Sequence, residues 1–490
     1  MNGSKPTKNC FKKPEKIGSK TMKLNVMKNI LYHLILWGMI IMNNSVYPDT
    51  GSFTIVDDPQ ISAIVAKVRS DFLLKHPYMS RLDSTILIPG ENGTWRRGSY
   101  NPEVIAYPAS CVKLAYLACA MYWCRINGHP YNYLENNIQP MIVHSDNPAT
   151  GRVFDAITGA PNYQTSVRDQ QFDLWYQKRL FTENYLKSRG LLENQTVMHK
   201  TYPSNSGESP NGGEKVALDL RNGNRMQPKC SASLMLEIVK GAIEPEANEY
   251  MRKFLRRERW DKNSEFGFGL PPGSSYENKY GQAYDTLEDI AYIMLPNGRE
   301  FILSAFSNGY VEPEISNPSP YNVSLLGGYC EMLIEALGLD QGCPPKIKID
   351  NSDPDVSLSG DWSIGNDPKT DYDKFGTNYL YATADTEGSK SVTWHLKVPV
   401  PGLYEVCVWY PQKKSGGMVS YTVNHTTGAM KIDVNQRVCG GRWRRLGDFG
   451  FRAGEGSVVL TNLERSLPNQ IITADAVKIT KWPEKKISPE

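Results

Sequence analysis

The chain has 490 residues, 40% apolar and 22% charged, a balance that fits a globular protein of two or more domains and excludes a disordered chain. The net charge of +3 is misleading: residues 1–29 hold eight lysines and one acid, a local +7, so the remainder carries −4 and offers no basic footprint for nucleic acid. Nine cysteines form no Cys-x-x-Cys and lack histidines at metal-ligand spacing, which argues against a zinc site; no cofactor is implied.

The basic stretch runs into an apolar segment of thirteen residues, Ile30–Met42, too short for a comfortable membrane span. A basic region followed by 7–15 apolar residues is the layout of a secretory signal. Residues 1–45 are therefore read as a secretory leader, with translation starting at Met1, Met22 or Met27. No small-x-small cleavage site is clear, so an uncleaved N-terminal membrane anchor stays open. The expected location is outside the cytoplasm: periplasmic, cell-surface or extracellular. Export permits disulfides, with Cys330–Cys343 and Cys407–Cys439 as the first pairs to test; Cys119 and Cys124 read as buried helix residues.

After the leader, residues 58–76 predict an amphipathic helix with an acidic start, and 84–108 predict strands and a loop. Residues 109–126 (ASCVKLAYLACAMYWCRI) are too apolar for a surface helix and predict a central one. A helix–loop–helix follows over 134–158 and further helix over 169–189. Residues 199–228 are rich in Gly, Asn and Pro and predict a long loop. Helices are expected over 231–242 and 245–258, then strands over 279–285, 289–295 and 300–306. The last two strands are joined by Asn297-Gly298, a hairpin signal. A helix over 323–338 closes the first domain, and Cys343-Pro344-Pro345 marks the boundary. From Ile347 onward, short alternating segments separated by turn residues predict an all-β sandwich.

Chemistry enters at Ser110-Cys111-Val112-Lys113. On a helix, i and i+3 share a face, which places a hydroxyl beside an amine. Desolvation lowers a lysine's pKa, and a neutral amine can take the serine proton. Two further elements follow in order: Ser145-Asp146-Asn147 in the helix-linking loop and Lys279-Tyr280-Gly281 on a sheet strand. Alone, Ser145 and Asn147 would read as helix caps. No Gly-x-Ser-x-Gly elbow exists, and His144 and His199 read as ordinary polar or partly buried histidines.

In motif order, element order and size, the chain from about residue 52 to 339 resembles the class A β-lactamase and penicillin-binding serine hydrolase superfamily. The resemblance implies an α+β fold, an antiparallel sheet flanked by helices with a helical subdomain. It implies Ser110 as nucleophile and Lys113 as general base, with Ser145 relaying a proton to the leaving group. Asn147 would hold Lys113 and a substrate amide. Lys279 would keep Lys113 deprotonated and attract an anionic substrate. The backbone N–H groups of Ser110 and Gln282, the residue after Gly281, would form the oxyanion hole.

Two departures bear on substrate. Tyr280 replaces the small hydroxyl residue that binds a substrate carboxylate in the family. The region matching the family's deacylation glutamate, Thr196–Asn205, contains no acid; Glu193 and Glu208 lie nearby but outside the motif.

Residues 347–482 resemble the golvesin C-terminal-like domain. The likeness rests on Ile349-Asp350-Asn351, Gly360-Asp361-Trp362, Gly376–Tyr381, Gly402–Val406 with Trp409-Tyr410-Pro411, Gly441–Gly447 and Ala474–Val477. It implies a β-sandwich that binds carbohydrate or the cell envelope, with Trp362, Trp409 and Trp443 as stacking candidates and core packing the expected fate of at least two. The organisation is thus a leader over 1–45, a hydrolase domain over 46–342, a sandwich over 347–482 and a tail over 483–490.

The expected function is an exported serine hydrolase or acyltransferase acting through a Ser110 acyl-enzyme on a small-molecule, peptide or cell-wall-type amide or ester. The alternatives are a true β-lactamase with a different water activator, or a non-catalytic surface-binding protein.

Overall fold

The computed structural model describes residues 53–200, 211–310, 325–413, 415–463 and 469–484. The predicted leader, Cys10 and Glu208 lie outside the described residues. Among these residues no helix is long and apolar enough to cross a membrane.

Strand β1 (Ile55–Asp57) leads to helix α1 (Pro59–Lys75). Asp58 caps α1 by accepting from the Gln60 and Ile61 N–H groups. Ile61, Val65, Val68 and Phe72 recur at helical spacing and bury one face of α1 against the sheet. Gly98, in β3 (Trp95–Tyr100), lies under Ile61; a Cβ there would come within 2.1 Å of the Ile61 side chain. Strand β2 (Arg81–Pro89) pairs with β3.

Helix α2 (Lys113–Ile126) is buried on nearly every side, as expected of a segment too apolar for a surface helix. Around it lie α3 (Glu135–Val143), α4 (Asn147–Thr158), α5 (Gln170–Arg179) and α6 (Phe181–Ser188).

The predicted long loop over 199–228 contains a helix, α7 (Gly212–Arg221). Flanking Gly, Asn and Pro residues hide it in the sequence. Ala217 packs into the cluster of Phe172 and Trp175, and Glu214 pairs with the buried Arg179. Helices α8 (Pro228–Val239) and α9 (Asn248–Leu255) complete the helical part.

Strands β4 (Ser275–Ala283), β5 (Thr286–Met294) and β6 (Glu300–Asn308) follow, then helix α10 (Leu325–Ala336). The sheet order is β1-β3-β2-β6-β5-β4. All pairs are antiparallel except the short β1–β3 pair. The β5–β6 turn puts Gly298 at φ +83°, which accounts for the Asn-Gly signal. The order leaves β4 at an edge, with one side free to meet the Ser110 turn.

Beyond residue 345 the chain is all β. A four-stranded sheet is built on Gly402–Trp409 and Ala476–Lys481, and a five-stranded sheet on Met418–His425 and Ser457–Thr461. A small three-stranded sheet joins them. The core lies between, with Trp394, Tyr404, Val406, Val408, Tyr421 and Leu460 fully or almost fully buried.

The expected disulfides are absent among the described residues, where none of the eight cysteines is joined in a disulfide. Cys330 points from α10 into the hydrophobic core, while Cys343 lies only against its edge. Cys407 is buried in the cluster of Trp409 and Trp443. The expected burial of Cys119 and Cys124 is found.

Candidate active site

Ser110 lies in a single 3₁₀ turn, Ala109–Val112, that runs into α2, and it is half-buried. Ala109 adopts φ +41°, a left-handed conformation that costs a non-glycine residue of order 1–3 kcal/mol and clusters at functional sites. Two contacts hold the turn against β4. The Cys111 thiol donates to the Lys279 carbonyl at 3.1 Å. Gly281 presses on the turn so closely that a Cβ would sit 2.8 Å from the Pro108 oxygen and 3.0 Å from the Ser110 nitrogen. Only glycine lets the strand approach this far. The Gln282 backbone therefore follows directly on the contact with Ser110, as an oxyanion pair requires.

Lys113 has no exposed surface. Its Nζ donates to the Ser145 carbonyl at 2.5 Å, to Ser145 Oγ at 3.1 Å and to Asn147 Oδ1 at 2.8 Å. Burial, reinforced by the charge of Lys279, holds its pKa well below the usual lysine range. A neutral amine donates two hydrogen bonds and retains a lone pair, so Lys113 can keep two of these acceptors while accepting a proton. Among the described residues no hydrogen bond joins Ser110 Oγ to Lys113 Nζ.

The Ser145 turn is built for this task. Asp146, not Ser145 or Asn147, caps α4, accepting from the Ala149 N–H at 2.6 Å. Both neighbours are thereby left for Lys113. Ser145 adopts φ +57°, which aims its carbonyl and its hydroxyl at one lysine.

Lys279 Nζ also reaches Ser145 Oγ, at 3.1 Å, and donates to the Tyr280 carbonyl at 2.8 Å. Burial pushes its pKa down to about 7, and Arg257 adds to the shift. The Tyr280 ring lies 4.5 Å from Lys279 Nζ, a cation–π contact, and burial pushes its phenol up to about 12. An aromatic face thus covers Lys279 where the family has a small hydroxyl.

Ser110, Lys113, Ser145, Asn147, Lys279, Tyr280, Gly281 and Gln282 therefore converge on the junction of β4, α2 and the α3–α4 turn. Four other residues contribute that the motifs did not mark. Cys111 tethers the nucleophile turn to β4. Asn278 donates to the Asn263 carbonyl at 2.9 Å and to Asp289 at 2.8 Å. Asp289 is buried, and burial raises its carboxyl to about 6. Arg257 donates to the Ile142 carbonyl at 2.7 Å, three residues before Ser145. Position inside the first motif could have singled out Cys111, and position beside Lys279 could have singled out Asn278. Arg257 and Asp289 carry no local signal.

Glu193 is drawn away into an ion pair with Lys229 at 2.8 Å. The described part of Thr196–Asn205 holds no carboxylate. His199 is buried, its pKa pushed down to about 3 by burial, while its carbonyl accepts from Tyr116. His144 is exposed at the end of α3.

Of the proposed stacking residues, Trp409 and Trp443 are buried in one cluster with Phe375 and with Trp260 of the first domain. Trp362 packs against the sandwich core.

Comparison with known proteins gives two family-model matches. The model of the "Golvesin C-terminal domain" matches residues 347–481, and that of the "Beta-lactamase enzyme family" matches 130–320, a span that includes Ser145, Asn147 and Lys279 but begins after Ser110 and Lys113. Golvesin of Dictyostelium discoideum is 35% identical over 455 residues, covering 91% of this chain and 77% of that protein. The chain belongs to the golvesin family. A xanthan lyase of Bacillus sp. (strain GL1) is 35% identical over 145 residues, 29% of this chain and 15% of the lyase. Among solved structures, a β-lactamase from Sphaerobacter thermophilus is 18% identical with a TM-score of 0.39, covering 57% of this chain and 99% of its own. A PBP-A mutant acylated by penicillin G is 16% identical with a TM-score of 0.40, covering 58% and 98%. This golvesin-family chain thus joins a β-lactamase-like α+β domain to a C-terminal all-β region, an arrangement that supports a serine hydrolase family.

Proposed function

We propose that this golvesin-family protein is an exported serine hydrolase or acyltransferase that works through a Ser110 acyl-enzyme on an amide or ester at the cell envelope or outside the cell. The observation that carries the reading is the convergence of two pK-depressed lysines on one hydroxyl, Ser145 Oγ, beside the Ser110 turn. In the reaction, Lys113 takes the Ser110 proton as Oγ attacks the carbonyl carbon. The oxyanion is met by the Ser110 and Gln282 N–H groups, an arrangement typically worth several kcal/mol. Ser145 donates its proton to the departing nitrogen or oxygen and is reprotonated from Lys113, which returns the proton it took from Ser110. Water or a second nucleophile then releases the acyl group.

Tyr280 favours a substrate without a free terminal carboxylate. Tyr284 is 87% exposed, and its ring lies 6.0 Å from that of Tyr107, three residues before Ser110. An aromatic pair near the Ser110 turn suits a planar or apolar acyl group.

The test is time-resolved intact mass with a fluorophosphonate and a penicillin, on the wild type and on Ser110→Ala. A stoichiometric adduct on wild-type Ser110 that is absent from the variant is expected. No adduct from either probe would rule out the nucleophile assignment. Repeated turnover of nitrocefin, rather than one burst, would instead favour a true β-lactamase.

A second reading is a non-catalytic binding protein on the same scaffold. It is favoured by the Tyr280 cover over Lys279. It requires every measurable function to survive Ser110→Ala.

A further inference from the structure

Residues 256–265 run from the end of α9 to the 3₁₀ turn Phe266–Gly269. This loop touches both the chain neighbours of Ser145 and Lys279 and the C-terminal domain. On one side, Arg257 donates to the Ile142 carbonyl at 2.7 Å and Asn263 Nδ2 to the Val143 carbonyl at 3.2 Å. Those carbonyls stand three and two residues before Ser145. The Asn263 carbonyl also accepts from Asn278, the neighbour of Lys279. On the other side, Arg259 Nη2 and Trp260 Nε1 both donate to Glu405 Oε2, each at 2.7 Å.

Glu405 belongs to the C-terminal domain, on the strand Gly402–Trp409, and is only 3% exposed. Arg259 is 5% exposed. Arg445 adds a second cationic contact to Glu405 at 3.3 Å. The loop is stiffened internally: Ser264 Oγ donates to the Glu258 carbonyl at 2.7 Å, and Asn263 N to Asp261 Oδ1 at 2.7 Å. Gly267 is packed so tightly that a Cβ would lie 2.6 Å from the Arg259 carbonyl. A rigid segment pinned at one end by a buried ion pair fixes what its other end touches.

We infer that Glu405 of the C-terminal domain is a positioning residue for the Ser145 turn, acting through Arg259, Trp260 and the 256–265 loop. The sandwich is then a structural part of the active site, not a tethered module. This rests on the proposed Ser110 chemistry for its kinetic readout and on geometry alone for its second readout. The aromatic residues named as sugar-binding candidates fit the same picture. Trp409 and Trp443 pack with Trp260 across the seam, where Lys75 Nζ donates to the Phe375 carbonyl at 2.8 Å.

The test compares three full-length variants. Glu405→Ala removes the clamp. Glu405→Gln keeps an oxygen acceptor for Trp260. Glu331→Gln weakens the same seam elsewhere, where the Glu331 carboxylate meets Lys478 at 3.1 Å and does not touch the loop. Each is first confirmed folded at the assay temperature by its melting curve. At saturating fluorophosphonate, Glu405→Ala is expected to lower the first-order acylation rate at least tenfold. Glu405→Gln should recover most of that loss. Glu331→Gln should keep the wild-type rate even where its melting temperature falls as far. Equal loss in Glu331→Gln and Glu405→Ala, or no loss in Glu405→Ala, overturns the inference.

Amide hydrogen exchange on peptides covering residues 140–147 gives the second readout. Glu405→Ala should speed exchange there and Glu331→Gln should not. That measurement decides the inference even where wild-type Ser110 proves unreactive, an outcome that would overturn only the proposed hydrolase activity. Unchanged exchange at 140–147 in Glu405→Ala overturns the positioning role itself.

Discussion

Lys113 and Lys279 share one hydroxyl: Ser145 Oγ stands 3.1 Å from the Nζ of each. The two amines cannot both be comfortably charged around that oxygen. Burial and the charge of Lys279 hold Lys113 well below the usual lysine range, and in the proposed reaction Lys113 serves as the base with Lys279 as the residual cation. Ser145→Ala removes the bridge while leaving the Lys113 bonds to the Ser145 backbone carbonyl and to Asn147 in place. Acylation of Ser110 should fall by about 10²–10⁴, the usual scale for a lost proton-transfer group. Stopped-flow or mass-resolved labelling at saturating probe reads this, and near-wild-type circular dichroism should show the fold retained.

The Lys279 charge should set the alkaline limb of the acylation profile. Its pKa lies near 7, so its cation, which favours a neutral Lys113, is lost as pH rises through about 7. Lys279→Arg keeps the charge to far higher pH, and the limb should move alkaline by more than one unit. The same shift affects folding with a definite sign. Between about 7 and the ordinary lysine value the unfolded chain holds a proton that the native chain lacks, so this group makes stability rise with pH. The slope is at most about 1.4 kcal/mol per pH unit. Denaturant titrations at pH 7 and 9 should show a larger increment in the wild type than in Lys279→Met, where only the depressed Lys113 is left to supply it.

Much of this site was legible in the sequence because its parts are short local patterns. Ser110 and Lys113 are three residues apart, Ser145 and Asn147 two, and the apolar texture of 113–126 announces a central helix. What could not be read were the long-range contacts. Arg257 meets Ile142 across 115 residues, and Arg259 meets Glu405 across 146. Helix α7 was hidden because Glu214, polar in any hydropathy pattern, is buried to pair with Arg179. The disulfide expectation followed from cysteine spacing and compartment. It failed because spacing says nothing of direction, and the Cys330 side chain points into the core.

Gly281→Ala should impair the reaction through the backbone. The added Cβ would meet the Pro108 oxygen at 2.8 Å and the Ser110 nitrogen at 3.0 Å, forcing β4 away from the nucleophile turn. The oxyanion donors then separate, and loss of one such donor typically lowers kcat by about 10²–10³. The acylation rate should fall on that scale while the melting temperature changes little, since β4 keeps its pairing with β5.

The seam between domains should open in acid. Glu331 is buried beneath Lys478, Lys348 and Lys346. Although burial alone would raise its carboxyl, the three cations hold it at about 2, below the usual 4.5. A depressed carboxylate adds stability that is complete above pH 4.5 and is lost as pH falls toward 2. Breaking such a buried pair costs roughly 3–5 kcal/mol. Glu331→Gln should therefore lower neutral-pH stability by about that much and flatten its decline between pH 4.5 and 2, as read by denaturant midpoints.

Tyr280 marks where substrate choice is decided. Its ring lies against Lys279 at 4.5 Å and occupies the place of a carboxylate-binding hydroxyl. Tyr280→Thr would uncover the Lys279 ammonium and supply a hydroxyl beside it, two groups suited to an anionic substrate. Penicillin, which carries a carboxylate, should then label Ser110 at least tenfold faster, while labelling by a neutral fluorophosphonate changes by less than about threefold. The ratio of the two rates separates recognition from nucleophile strength, because a general loss of reactivity lowers both. An unchanged ratio would mean that the aromatic cover is not what excludes the carboxylate.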